Sequence, residues 1–113
     1  MSDTAMKGAV MWYGIGQLPR LRNMSLDDLK RLTQECSEIC QENPLHMTGS
    51  QAFTVNTWNS EKPLTGCQII ALMVFGLWVM MGEDEEMCSG LVEAWPIREA
   101  VFLADADRRS HQP

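Results

Sequence analysis

The clearest hydrophobic pattern lies within residues 25–42 and predicts an amphipathic surface helix. Wound as an α-helix, this segment places its apolar side chains on one arc of about 140° and its charged side chains opposite. Ser25 is a favourable N-cap, and Pro44 follows the segment as a stop signal. Asp27 and Arg31 have the i,i+4 spacing of a favourable ion pair. The apolar arc consists of Leu26, Leu29, Leu32, Cys36, Ile39 and Cys40.

A second helix is predicted over residues 65–81. Thr65 and Gln68 match a capping box, and Gly82 is suited to the C-terminal cap. The apolar run within this helix covers 13 residues, 69–81. A bilayer span needs about 20 residues, so the run indicates a buried helix.

Both faces of this second helix are apolar. Such a helix must be covered on every side, and a chain of 113 residues offers few other helices for that purpose. We therefore predict that one face is left for a partner or a second copy, with Val74, Phe75, Trp78 and Val79 as the contact residues. The alternative is a compact monomer that encloses the helix. One face carries Ile69, Ile70, Met73, Leu77 and Met80, and the other carries Ala71, Val74, Phe75, Trp78 and Val79.

The segments around these two helices have weaker patterns. Residues 9–13 are apolar and suit a strand or a segment packed on the helices, and a loop is expected at Gly14, Gly16 and Pro19. Residues 52–58 alternate as in a strand and could pair with residues 9–13 as a ribbon.

The C-terminal part predicts further helices. The acidic run at residues 83–86 suits a helix N-terminus, followed by Met87, Leu91 and Trp95 at i,i+4 spacing. Another helix is expected over residues 96–107. The expected fold is therefore mainly α. It is a single domain over residues 1–113, with three or four helices around a hydrophobic central helix, room for a short two-stranded β ribbon, and disordered ends at 1–8 and 108–113.

Charge narrows the classes of partner. The formal net charge is -6, and the nine lysines and arginines are scattered. Nucleic-acid binding needs a basic stripe, and an anionic membrane repels an acidic protein. We expect neither direct nucleic-acid binding nor membrane binding. The start of the chain has no secretory pattern, which favours a cytoplasmic location.

No residue pattern indicates catalysis or a cofactor. The two histidines, His46 and His111, lie beside a loop proline and in the tail, without a nucleophile–base arrangement. The cysteines lack a CxxC pair, and reduced buried thiols are the simplest interpretation. The alternative is a metal- or redox-sensing module built on those cysteines. They are Cys36, Cys40, Cys67 and Cys88.

Protein binding is the function that these patterns favour. Nine methionines and four tryptophans are many for a chain of this length, and both types are frequent at interfaces. We expect a homodimeric helical protein that occludes an apolar surface on a regulator.

The chain also resembles the QslA family of small bacterial quorum-sensing anti-activators. The resemblance covers the whole chain and rests on the capped helix at residues 25–42 and on the helix that ends in GLWVMMG at residues 76–82. It implies a cytoplasmic dimer that binds a LuxR-type transcription factor such as LasR. Binding would block that factor's own dimerisation and its DNA binding. The resemblance transfers no site residues.

Overall fold

The computed structural model describes residues 3–47, 49–58 and 62–84. Within them the protein is mainly helical and has a short antiparallel sheet, which confirms the expected fold class. A 3-10 turn, Pro44–His46, follows the second helix. The elements are α1 (Asp3–Arg22), α2 (Leu26–Glu42), β1 (Ala52–Phe53), β2 (Leu64–Thr65) and α3 (Gly66–Met80).

Helix α3 is the centre of the structure. Every residue from Ile69 to Gly76 is buried, and α1 and α2 both pack against this helix. The predicted capping box is confirmed: the Thr65 hydroxyl accepts from the Gln68 amide at 3.4 Å, and the Gln68 side chain accepts from the Thr65 amide at 3.0 Å. The helix ends at Met80, and the chain then turns through Gly82 at a φ of 88°.

Helix α2 has the predicted bounds and cap, because the Ser25 hydroxyl accepts from the Asp28 amide at 3.2 Å. Two details of the prediction are wrong. Leu26 is 54% exposed, since it stands at the first helical position, outside the contact with α3. Arg31 pairs with Asp28 at 2.5 Å instead of Asp27, because the i,i+3 position is also a neighbour on a helix.

Residues 9–13 pack on α3 as part of helix α1, the second of the two expected arrangements, and the helix replaces the loop expected at Gly14, Gly16 and Pro19. It begins at Asp3, within the segment expected to be disordered, and continues through Pro19. The buried positions Val10, Gly14, Leu18 and Leu21 follow spacings of four, four and three, which is the period of a helix packed along one side. Glycine at one of these positions and a proline near the end conceal that period in the sequence.

Two glycines set the close packing of both outer helices on α3. A Cβ at Gly14 of α1 would overlap the Phe75 ring, so the ring occupies the space that any larger residue would fill. A Cβ at Gly76 of α3 would lie 2.8 Å from Cγ2 of Thr33 in α2. α1 and α2 therefore each approach α3 closely at a position where one of the two helices in contact has a glycine.

The sheet differs from the expected ribbon. β1 pairs antiparallel with β2, with Ala52 opposite Thr65 and Phe53 opposite Leu64. Residues 9–13 are unavailable for pairing because they are helical. Of the strand expected over residues 52–58, only the first two residues form one.

The predicted C-terminal helices fall almost wholly outside the described residues. Glu83 and Asp84, the first residues of the acidic run, are not helical, and Glu83 has a positive φ of 60°. The helix expected at Met87, Leu91 and Trp95, the one over residues 96–107 and the tail lie outside the described part of the chain. Among the described helices, none combines the length and apolar character needed to cross a membrane.

We predict that Gly14→Ala lowers the free energy of unfolding by about 1–2 kcal/mol. Overpacking against the buried Phe75 ring costs about 1–3 kcal/mol, which outweighs the helix-propensity gain of up to about 1 kcal/mol. The matched control is Gly16→Ala in the same helix. An added Cβ there meets nothing within 4 Å, so this substitution should raise the free energy of unfolding. Urea unfolding measures both, and equal effects would contradict the close approach at Gly14.

Candidate functional site

An open groove of about 680 Å³ runs between α2 and α3. Its floor is apolar and comes from α3, through Met73 and Leu77. Its wall is polar and comes from α2, with charged and amide side chains at the rim. The α2 residues that line it are Lys30, Thr33, Gln34, Ser37, Glu38 and Gln41.

The groove is continuous with a poorly covered part of α3. The residues from Leu77 to Met80 are only half-buried, and Met81 is 64% exposed. We call residues 77–81 the open end of α3. Leu77 belongs to both features, so the groove floor adjoins the open end.

The predicted partner-binding residues divide between the core and this surface. Val74 and Phe75 are 2% and 1% exposed, so the expectation that their face lacks cover is wrong. The cover comes from α1, a helix that the sequence pattern does not predict. Trp78 and Val79 lie in the half-buried open end, where their role in binding stays a prediction.

Trp78 also has a structural role at the open end. Its ring meets Phe75 edge to face, with centroids 5.9 Å apart and planes at 88°. Its indole N–H donates to the Asp84 carbonyl, which fixes the turn after α3. Beside this turn, Nε and Nη2 of Arg22 contact Oε1 of Glu83 at 2.6 and 2.5 Å. A substitution of Trp78 would therefore disturb the fold as well as the surface.

Trp58 joins the loop after β1 to α1. Its ring is 2% exposed, and the guanidinium carbon of Arg20 lies 3.7 Å from the ring centroid, a cation–π contact. Burial raises the pKa of Tyr13, while a side-chain hydrogen bond with Trp58 and the Arg20 charge act to lower it. The sequence does not reveal this cluster, because Trp58 is far along the chain from Tyr13 and Arg20.

Glu35 holds the same loop to α2. Its carboxylate accepts from the amides of Asn56 at 2.7 Å and Thr57 at 2.9 Å, and from the Thr57 hydroxyl at 2.6 Å. Partial burial raises the pKa of Glu35, but these hydrogen bonds outweigh burial, so the pKa lies below its usual 4.5. The carboxylate is thus charged in the folded protein near neutral pH.

Cys36 and Cys40 are buried on the α3 side of α2. Burial raises both thiol pKa values to about 12, with a further rise at Cys36 from Cys40 and Glu35. Thiolate, the form that binds metal and reacts, is therefore scarce at these positions. Cys67 is half-buried, and Cys88 lies outside the described residues. Residues 3–47, 49–58 and 62–84 contain no cluster of three potential metal ligands, and the metal- or redox-sensing alternative stays a prediction.

From the sequence alone, the groove wall belongs to the solvated face of α2. Gln34 and Glu38 fall on the polar side of α2, and nothing in their spacing separates a groove rim from an exposed face. The exposure of Trp12, which is 85%, is not indicated by the sequence either, since the uncharged stretch over residues 8–19 suggests burial.

Comparison with known protein families, with curated proteins and with solved structures found no match for this chain. The resemblance to quorum-sensing anti-activators therefore stays a prediction.

We predict that Glu35→Gln lowers the free energy of unfolding by about 1–2 kcal/mol at pH 7, because an amide cannot accept all three hydrogen bonds. The folded-state pKa of Glu35 lies below the unfolded value, so its stabilisation is complete above about pH 4.5 and is lost as the pH falls through the folded pKa. The difference in the free energy of unfolding between wild type and variant should become smaller at acidic pH. Glu38→Gln on the same helix is the control, and a difference that is constant with pH would contradict the assignment.

We predict that Cys36 and Cys40 resist a thiol reagent in the folded protein and react after unfolding in urea. Both are at most 1% exposed and have raised pKa values, whereas Cys67 is half-buried and should react earlier. Mass spectrometry of alkylated peptides measures each site. Rapid native labelling of Cys36 or Cys40 would refute this and favour a redox role.

Proposed function

We propose that this protein acts by binding another protein through the α2–α3 groove and the open end of α3. The observation that carries the proposal is the joint surface itself, an apolar floor at Met73 and Leu77 that continues onto half-buried and exposed apolar residues. A polar rim around an apolar centre is the usual composition of a protein interface.

The groove suits a helical partner segment better than a small molecule. Small-molecule sites enclose most of the ligand and offer a few convergent polar groups. This groove is open along its length, and its polar groups sit on the flexible side chains of the rim. A helix that lays apolar side chains on the floor would use the i, i+3, i+4 pattern of helix-in-groove binding. Lys30 and Glu38 at the rim carry opposite charges, which would fix the position of the bound helix along the groove.

We further propose that the partner is a transcription factor of the LuxR type, which the resemblance to quorum-sensing anti-activators supports. In the cytoplasm, this protein would occupy an apolar surface that the factor needs for its own dimerisation, and would so prevent DNA binding. The mechanism is steric competition and involves no chemical step. Affinity would come from a few buried apolar anchors in the groove.

We predict that Gln34→Trp weakens capture of the receptor at least about tenfold, because the new ring fills the groove without removing a core side chain. Glu42→Trp is the control, because it places the same ring at an exposed position of the same helix outside the groove. The measurement is isothermal titration of each purified variant with a purified LuxR-type receptor, together with receptor binding to its operator.

A second variant tests the open end. Met81→Glu places a charge at an exposed position and should also weaken capture while the circular dichroism spectrum stays unchanged. Undiminished capture by both variants would contradict the proposed binding site. Failure of the wild-type protein to bind the receptor would contradict the proposal of a LuxR-type partner.

A further inference from the structure

The described chain ends against the candidate site. After α3 the backbone turns through Gly82 and Glu83, whose φ values are 88° and 60°. The Glu83 amide donates to the Trp78 carbonyl at 2.9 Å, and the Trp78 indole N–H donates to the Asp84 carbonyl. Trp78 belongs to the open end of α3, so Asp84, the last described residue, lies against that surface.

This turn directs the following chain back along α3. The Gly82 amide donates to the Val79 carbonyl at 3.2 Å, which completes a Schellman motif. A left-handed conformation is uncommon outside glycine, and at Glu83 it is held by the ion pair with Arg22. Residues 81–84 have the length of the connections that join antiparallel helices, about two to five residues. We therefore expect a helix that follows the turn to run antiparallel to α3.

Residues 85–95, which we call the return segment, have the sequence pattern of a helix with one apolar side. At about 100° per residue, their apolar side chains fall on one arc of about 160°, and their glutamates, Ser89 and Gly90 fall on the other. Asp84 is a favourable N-cap, and acidic residues suit a first helical turn. The apolar arc consists of Met87, Cys88, Leu91, Val92, Ala94 and Trp95.

The α2–α3 groove begins where the return segment begins. α2 and α3 run antiparallel, because Thr33 of α2 lies beside Gly76 while Met47, after α2, lies beside Gly66. Lys30 therefore marks the end of the groove that is nearest the open end of α3. A helix that starts after the turn enters the groove at this end.

The return segment matches the groove in length and charge. The groove extends along α2 from Lys30 to Gln41, about 17 Å, and a helix over residues 85–95 has the same length of about 17 Å. Its first turn carries Glu85 and Glu86, which meet the positive charge of Lys30 when the segment enters from the open end. The apolar arc then faces the apolar floor.

We propose that residues 85–95 fold back as a helix antiparallel to α3 and occupy the α2–α3 groove in the free protein. Leu91 and Trp95 then cover Met73 and Leu77 on the groove floor, and the glutamates face water. The docking itself is independent of any partner. Its regulatory consequence rests on the proposed function, because a partner that uses the same floor must displace the segment.

The covalent connection favours this occupant over a second copy or another protein. The return segment starts directly after the open end of α3, and a short connection gives an effective concentration of about 1 mM. A contact with an intrinsic dissociation constant of about 0.1 mM is then formed in about nine of ten molecules. A separate protein at about 1 μM reaches the same occupancy only through a contact that is about a thousandfold tighter.

Occupation by the return segment regulates the proposed binding site. The partner and the segment compete for one floor, so the partner's apparent affinity falls in proportion to the fraction of molecules with an open groove. With the groove open in about one of ten molecules, capture weakens about tenfold. Weak apolar partners are thereby excluded, and only a partner that binds more tightly than the segment is captured.

Crosslinking of the full chain tests the docking without a partner. Gln34→Cys places a thiol on the groove rim, and native Cys88 supplies the second thiol in the return segment. A short bismaleimide should join the two within one chain, at a yield independent of protein concentration, and peptide mass mapping identifies the pair. Ile15→Cys, at an exposed position of α1, is the control and should give little crosslink to Cys88.

A charge within the apolar arc should release the segment. Leu91→Glu should lower the yield of the Gln34→Cys crosslink about fivefold, because docking then buries a carboxylate. Ser89→Glu adds the same charge on the opposite arc and should leave the yield unchanged, and Trp95→Glu provides a second variant if Leu91→Glu fails to fold. Equal yields for Gln34→Cys and Ile15→Cys, or a yield that the folded arc variants leave unchanged, would overturn the proposal.

Receptor titration tests the regulatory consequence. Leu91→Glu should bind a purified LuxR-type receptor about fivefold more tightly than wild type, because the groove is open in more molecules, and Ser89→Glu should match wild type. Unchanged or weaker capture by Leu91→Glu would overturn the regulatory role. If wild type binds no receptor, the proposed function fails, while the crosslink still decides whether the return segment occupies the groove.

Discussion

The structure depends on covering one helix that is apolar on all sides. α3 has no polar face to turn towards water, so its stability requires other elements around it. α1 and α2 supply this cover over Ile69–Gly76, and each reaches α3 through a glycine, Gly14 on one side and Gly76 on the other. The β ribbon and the Thr65 capping box fix where the helix begins. The groove and the exposed apolar residues of α3 lie where this cover ends.

The cover ends at Leu77, and this position gives the protein its candidate site. The same α2 side chains that shield Met73 form the wall of a groove, and the groove continues onto the open end of α3. Two attachments of the loop after β1 stabilise the helices that shape the groove. Glu35 holds the loop after β1 to α2, and Arg20 with Trp58 holds it to α1. Helices held in place in this way suit the proposed binding role, since a preorganised surface loses less entropy on association.

The sequence predicted α2 and α3 well, because their signals are local. Ser25 and Thr65 mark the starts of the helices through side-chain caps that depend on only three neighbouring residues. The cover of α3 could not be predicted in the same way. In the sequence, Gly14 is typical of a loop, and only the contact with the Phe75 ring explains a glycine within the helix. These two residues are far apart in the chain. Because the sequence pattern does not predict α1 as a helix, it leaves the Phe75 face without cover and predicts a binding surface there. Trp78 and Val79, one turn further on, do remain partly exposed.

Native-state hydrogen exchange measures most directly whether α1 encloses α3. Peptides covering residues 10–21 of α1 and 69–76 of α3 should lose protection together, at the free energy of global unfolding, because neither packs without the other. Amides near the open end of α3 should exchange earlier through local opening. Fast exchange across residues 10–21 while residues 69–76 stay protected would show that α1 is not the cover, and would contradict the account.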